Sequence, residues 1–333
     1  MHMSQVYVGT APGWADGFGR RAILERGGQR WLRLQVRPEL LAQAPLFETS
    51  VRLAAARAGA ALAPDRALAR EVGRAPNGTL VITGPAPLAR RIAGWLDRAA
   101  RASRPLPVDA AVTMTLRIMA AVSAFHASMK TAHGTLSVER TWVQGNGAVV
   151  IADGVFAEGL ETLGWGRERL WRELRVAMPP AASLPRFDPR ADITQIAVIV
   201  LELLLGRSVT ADEYPQAVVD LVNEATPGAA VLPSDLVASG LRTWLQRALP
   251  IHPRAAFTSM ADAHASLERL ARDTGITRTG PRSLARWLDP AAAAETSQPV
   301  ASTAPAATEA PPPSNAGAGV ASGWRRLFPF GLR

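Results

Sequence analysis

The sequence predicts an α+β chain in two folded parts, a small strand-rich one followed by a larger helical one, with a low-complexity tail. Three observations carry this reading. The first eighty-odd residues hold short β-branched and apolar runs set between turn residues. From Leu88 onward, apolar residues recur at the spacing of one helical face. Residues 291–322 are dominated by Ala, Pro, Ser, Thr and Gly, and cannot bury enough apolar surface to offset their ordering entropy. With 48% hydrophobic and 20% charged residues, the composition is globular. A length of 333 residues suits one large two-lobed domain or two ordinary ones.

Taken in order, residues 21–24 and 31–36 read as strands flanking Gly27-Gly28, a hairpin turn. Residues 46–59, rich in Ala and Arg, predict a helix. Residues 78–83 form a β-branched run behind the turn chemistry of Pro76-Asn77-Gly78. Across 88–102, Leu88, Ile92, Trp95 and Leu96 fall on one helical face. Asp109 is placed to cap a nearly all-apolar helix that runs to about Met129, as a central core helix would. Residues 142–143 and 149–151 predict short strands around Gly145-Asn146-Gly147. Residues 192–205 predict a buried helix ended by Gly206, and further helices follow at about 214–224, 233–249 and 259–273. There is no internal repeat.

The net charge of +9 and pI near 11.2 raise nucleic acid or an anionic membrane as partners. Lys130 is the only lysine, however, and the arginines are dispersed through a chain rich in Ala, Gly and Pro. That is GC-rich, bacterial coding bias, and the arginines read as solvated surface rather than a nucleic-acid footprint. The chain has no cysteine, which excludes disulfides and thiolate metal sites. Its five histidines fall into no zinc-binding spacing. No basic segment followed by an apolar one marks a secretory signal at the N-terminus. The most apolar helical stretch, 196–205, contains Glu202 and falls short of the roughly 20 residues that span a bilayer. The expectation is a cytoplasmic chain without a transmembrane segment.

The residues at the joints of this plan are more specific. His133-Gly134-Thr135-Leu136-Ser137-Val138-Glu139-Arg140 resembles the protein-kinase catalytic loop, H-R-D-L-x-x-x-N, at full spacing. Residues 149–155, Val-Val-Ile-Ala-Asp-Gly-Val, resemble the strand that delivers the D-F-G motif. Asp192 opens a helix similar to the one that begins with a buried Asp in that family. Met178-Pro179-Pro180-Ala181 stands where A-P-E would be, and Asp16-Gly17-Phe18-Gly19-Arg20 resembles the second half of the glycine-rich loop. Together the motifs cover about residues 5 to 273 in the family's order. The resemblance implies a two-lobed protein-kinase-like fold. A small β-rich N-lobe would span 1–84 and a helical C-lobe 85–276, with an Ala/Pro-rich disordered tail over 277–333.

Carried over residue by residue, the same resemblance implies impaired chemistry. Thr135 stands at the catalytic base and lacks useful basicity near neutral pH. Ser137 replaces the catalytic-loop lysine, and Arg140 replaces the asparagine that holds a metal ion, setting like charge against it. The small-lobe lysine that grips the phosphates is absent under any alignment, because no lysine precedes residue 130. Its place falls on Leu34 or Gln35, with Arg33 adjacent, and Glu48 is the remnant of its partner. Asp153 is either a residual metal ligand or a solvated Asp in a turn. Gly17 and Gly19 remain to cradle phosphate, while Gly9 and Gly13 stand at the wrong spacing for the first glycine. The A-P-E glutamate and its arginine partner both read as alanines, Ala181 and Ala256, unless Arg254 serves after a shift. Losing one partner of a buried pair costs roughly 3–5 kcal/mol, whereas losing both can be nearly neutral.

His133 and Asp192 carry structural rather than chemical roles in the motif. Most of the nine tryptophans read as core. Trp324, Arg325, Arg326, Leu327, Phe328 and Phe330 stand beyond the linker and read as a peptide that docks on a protein partner. Such a peptide also gives weak contact with an anionic membrane surface. The expected function is a catalytically impaired pseudokinase acting as a regulatory or scaffolding module. The alternative is an atypical protein Ser/Thr kinase-like transferase that still binds ATP with Mg2+ through Asp153 and Arg33.

Overall fold

A computed structural model describes residues 8–9, 13–61, 69–226 and 235–289. Its N-terminal part is an antiparallel sheet of β1 (Val8–Gly9), β2 (Trp14–Asp16), β3 (Gly19–Arg26), β4 (Gln29–Val36), β5 (Glu71–Arg74) and β6 (Leu80–Pro85). The strand order is β1-β3-β4-β6-β5, with β2 also on β3. Between β4 and β5 run α1 (Pro38–Gln43) and α2 (Phe47–Ala61). The β3–β4 register sets Arg21 opposite Leu34 and Ile23 opposite Leu32. Directly opposed residues share a face of a sheet, so these four point the same way. Leu34 enters a buried cluster with Phe18, Phe47 and Phe156. Ile23 and Leu32 enter a second cluster with Trp142 and Ala152 of the helical part.

The helical part begins with β7 (Arg90–Arg91), α3 (Ile92–Arg101) and α4 (Val108–Met129). It continues through β8 (Thr141–Val143), β9 (Val149–Ile151), α5 (Ala157–Glu161), α6 (Arg167–Leu174) and α7 (Pro189–Leu205). α8 (Val218–Ala225), α9 (Asp235–Ala248), α10 (Met260–Asp273) and α11 (Ile276–Leu288) complete it. α4 is 22 residues long and apolar enough to cross a membrane by length and composition. Here it packs against α7, α10 and α11, and a helix apolar all round is what a core position requires.

Three expectations are corrected at element ends. Asp109 is not the cap of α4: Pro107 holds that position, and Asp109 sits one turn in, accepting from Ser283 Oγ at 2.7 Å. α7 begins at Pro189 rather than 192, because Asp188 caps it through the N–H groups of Arg190 and Ala191. Residues 276–288 are helix, not tail. Ile276, Leu284, Trp287 and Leu288 bury one face of α11 against the core, and Trp287 meets the Trp95 ring at 5.8 Å. Pro281 inside this helix gives the sequence its tail-like look. The low-complexity stretch and the terminal peptide from Trp324 to Phe330 lie outside the described residues.

Candidate functional site

The loop from His133 to Arg140 is fastened from below by α7. Asp192 is fully buried and accepts the N–H of His133 and of Gly134, each at 2.7 Å, and meets His126 Nε2 at 2.6 Å. One turn on, Gln195 accepts the Leu136 N–H at 2.8 Å and donates to the Gly134 carbonyl at 3.0 Å. His133 packs edge-on to Phe125 at 5.1 Å. Burial pushes its imidazole down to about 4, so it stands neutral.

The degenerate positions on this loop each have a definite occupation. Thr135 is buried, and its hydroxyl donates to the Asp153 carbonyl at 3.1 Å. Ser137 is buried, and its Oγ has no hydrogen-bond partner among the described residues. Arg140 is 2% exposed and donates to three backbone carbonyls, those of Thr135 (2.7 Å), Leu174 (3.1 Å) and Arg175 (2.9 Å). Burial lowers its guanidinium from the ordinary arginine value, with Asp16 and Asp153 pulling the other way. It lies 5.0 Å from the Phe18 ring centroid. Arg140 is thus a structural strut between the loop and the end of α6.

Asp153 is claimed by a residue of the small lobe. Arg21 reaches down from β3 and donates Nη1 to Oδ1 at 3.1 Å and Nη2 to Oδ2 at 2.6 Å, while its Nε holds Asp16 at 2.7 Å. Both partners are buried, with side-chain exposures of 2% and 10%. Burial alone would lower the Arg21 pKa, but the two carboxylates outweigh it and hold the guanidinium above its ordinary value. A bidentate guanidinium–carboxylate pair uses both oxygens that a metal ion would need. Arg21 stands directly opposite Leu34 on the neighbouring strand. The cation missing from β4 is therefore supplied one strand over.

The glycine-rich turn is pinned rather than poised over open space. Gly17 and Phe18 join β2 to β3, and Phe18 is fully buried against Phe156 at 4.7 Å. A Cβ on Gly17 would overlap the Glu173 carbonyl at the end of α6. Gly19 has φ +147°, and its approach to the Gln35 carbonyl leaves no room for a side chain. Behind the turn, Trp14 meets Trp142 at 5.9 Å in the same apolar cluster as Ile23, Leu32 and Ala152. That cluster joins the two lobes beneath the sheet.

Other expected ligands stand apart. Arg33 and Gln35 alternate with Leu32 and Leu34, so they lie on the opposite face of β4 from Arg21. Glu48 on α2 is bound by Arg52 at 2.7 Å and by Arg74 of β5. Burial would raise its pKa, but the two arginines hold it below the usual carboxylate value. Gly9 lies in β1, and Gly13 sits on the exposed lead into β2.

The kinase domain of PknI from Mycobacterium tuberculosis matches with a TM-score of 0.55 at 17% identity, over 80% of this chain and 96% of that one. The kinase domain of maize SIRK1, a sucrose-induced receptor kinase solved bound to AMP-PNP, matches with a TM-score of 0.58 at 11% identity. That match covers 80% of this chain and 94% of the other. The chain has a protein-kinase-like fold. At these identities the likeness is one of architecture. No protein-family model matches the sequence, and no curated protein resembles it significantly.

Placed in the kinase-like fold, the residues do not fit ATP with Mg2+. The surviving metal-ligand position is paired with Arg21, the second one holds a buried arginine, and Leu34 faces the cleft where the lysine would stand. Among the described residues no three His, Asp or Glu groups gather as a ligand set. The A-P-E region also lacks its ion pair. Ala181 and Ala256 line one cavity of about 340 Å³, and the exposed Arg254 has no ion pair among the described residues. Sequence reading missed Arg21, Asp16, His126 and Gln195. The signal for Arg21 is its phase: it shares the inward side of β3 with Ile23, where an apolar residue belongs.

Proposed function

We propose that this chain is a catalytically impaired protein-kinase-like domain, a pseudokinase, and that it acts as a regulatory or scaffolding module toward a protein partner. The observation that carries the reading is the bidentate Arg21–Asp153 pair. It closes the surviving metal-ligand position with a residue of the chain itself. A phosphoryl transfer needs a metal to neutralise developing charge and a carboxylate to accept the hydroxyl proton. Thr135 cannot accept that proton, and its hydroxyl is already engaged with the Asp153 carbonyl. The lobes are thus held in one arrangement by internal contacts, which suits a surface presented for recognition. We place the protein in the cytoplasm.

The alternative, an atypical transferase using Asp153 and Arg33, loses support because these residues come from different faces of β4 and its surroundings. The test is transfer from γ-labelled ATP with Mg2+ to a generic protein acceptor and to the chain itself, using the full-length protein. The expected result is no incorporation above a heat-denatured control. Incorporation by the wild type that disappears in Asp153→Ala would overturn the proposal.

A further inference from the structure

A second cavity lies on the far side of the 133–140 loop, between that loop, α6 and α7. It measures about 170 Å³ and is lined by Leu136, Trp171, Val198 and Ile199 together with polar groups. A cavity of about 150 Å³ takes a benzene-sized body. Three of the polar groups are hydrogen-bond donors without an acceptor among the described residues, or are held neutral. Ser137 is nine-tenths buried, and its Oγ has no partner. Nη1 of Arg175 is buried and unpartnered, while its guanidinium lies 5.1 Å from the Trp171 ring. Glu202 accepts the Val209 N–H at 3.0 Å, and burial pushes its carboxyl up to about 8, so it stands protonated at neutral pH.

We propose that this cavity binds a small carboxylate with a compact apolar body, its oxygens taken by the Ser137 hydroxyl and the Arg175 guanidinium. The charges lining the space favour an anion over a cation. Glu139, the other carboxylate lining the space, is paired with Arg91. Glu202 is neutral, and Arg175 contributes the one cation among the lining residues. A cationic ligand would find no free carboxylate and would face Arg175. An anion would supply the acceptors that the buried donors lack, and leaving such donors unmatched is costly. The apolar walls select a body rather than an inorganic ion.

The test uses three probes of one shape and different charge: benzoate, benzamide and benzylamine. Binding to the full-length protein is measured by titration calorimetry and by saturation-transfer NMR at constant ionic strength. Benzoate is expected to bind, with benzamide and benzylamine weaker by about tenfold or more. Ser137→Ala and Arg175→Gln are each expected to weaken benzoate by a similar factor. Absence of benzoate binding at tens of millimolar would mean that the cavity holds water only, and would overturn the proposal. So would equal binding of the three probes, or a preference for benzylamine. If Arg175→Gln does not fold, the probe series and Ser137→Ala still decide.

Discussion

Arg21 is a small-lobe residue whose partners lie at both ends of the site. It holds Asp16 beside the glycine turn and Asp153 on the large lobe. Removing one partner of a buried pair leaves uncompensated charge, so Arg21→Ala is expected to destabilise the protein by about 3–5 kcal/mol. Denaturant unfolding measures this, and Asp153→Asn in the same background should recover part of the loss. Two other residues set opposite pH dependences. His133 titrates near 4 when folded, below its ordinary 6.5, so stability falls as pH drops between those values. Glu202 titrates near 8, above its ordinary 4.5, so stability falls as pH rises across that interval. Thermal melts across pH should show a flatter decline above pH 4.5 for Glu202→Gln than for the wild type. Thr135, Ser137 and Arg140 were legible from motif spacing alone. Arg21 was not, because the motif fixes what is missing from β4 and says nothing of which neighbouring strand supplies a cation.

At the scale of elements, periodicity located the long helices well and missed what depends on partners. α4 and α7 announce themselves by continuous apolar runs. β5 has a single apolar residue, Val72, in Glu71–Arg74, and forms because β6 offers it a ladder. α11 was hidden by Gly280 and Pro281, which read as breakers. In the fold, Gly280 lets α11 lie directly on α4: a Cβ there would overlap Thr113 and come within 2.6 Å of the Asp109 carbonyl. Gly280→Ala is therefore expected to cost about 1–3 kcal/mol by overpacking, although alanine favours helix. Chemical denaturation checks the sign, and stabilisation would mean that the α4–α11 contact is looser than described.

Across the whole molecule, the two lobes are joined by three kinds of contact at one place. The Trp14–Trp142 cluster supplies apolar area, the buried Phe18 supplies packing, and Arg21 supplies charge. The two-lobed plan was legible because each lobe has its own sequence period and the joints carry ordered motifs. How the lobes close was not legible, since it rests on pairs more than 100 residues apart, such as Arg21 with Asp153. The central claim is that this closure leaves no place for a nucleotide–metal complex. Calorimetric titration of the full-length protein with ATP, with and without Mg2+, tests it most directly. The account predicts no Mg2+-dependent binding to the wild type. Submillimolar binding that requires Mg2+ and is abolished by Asp153→Asn would contradict it.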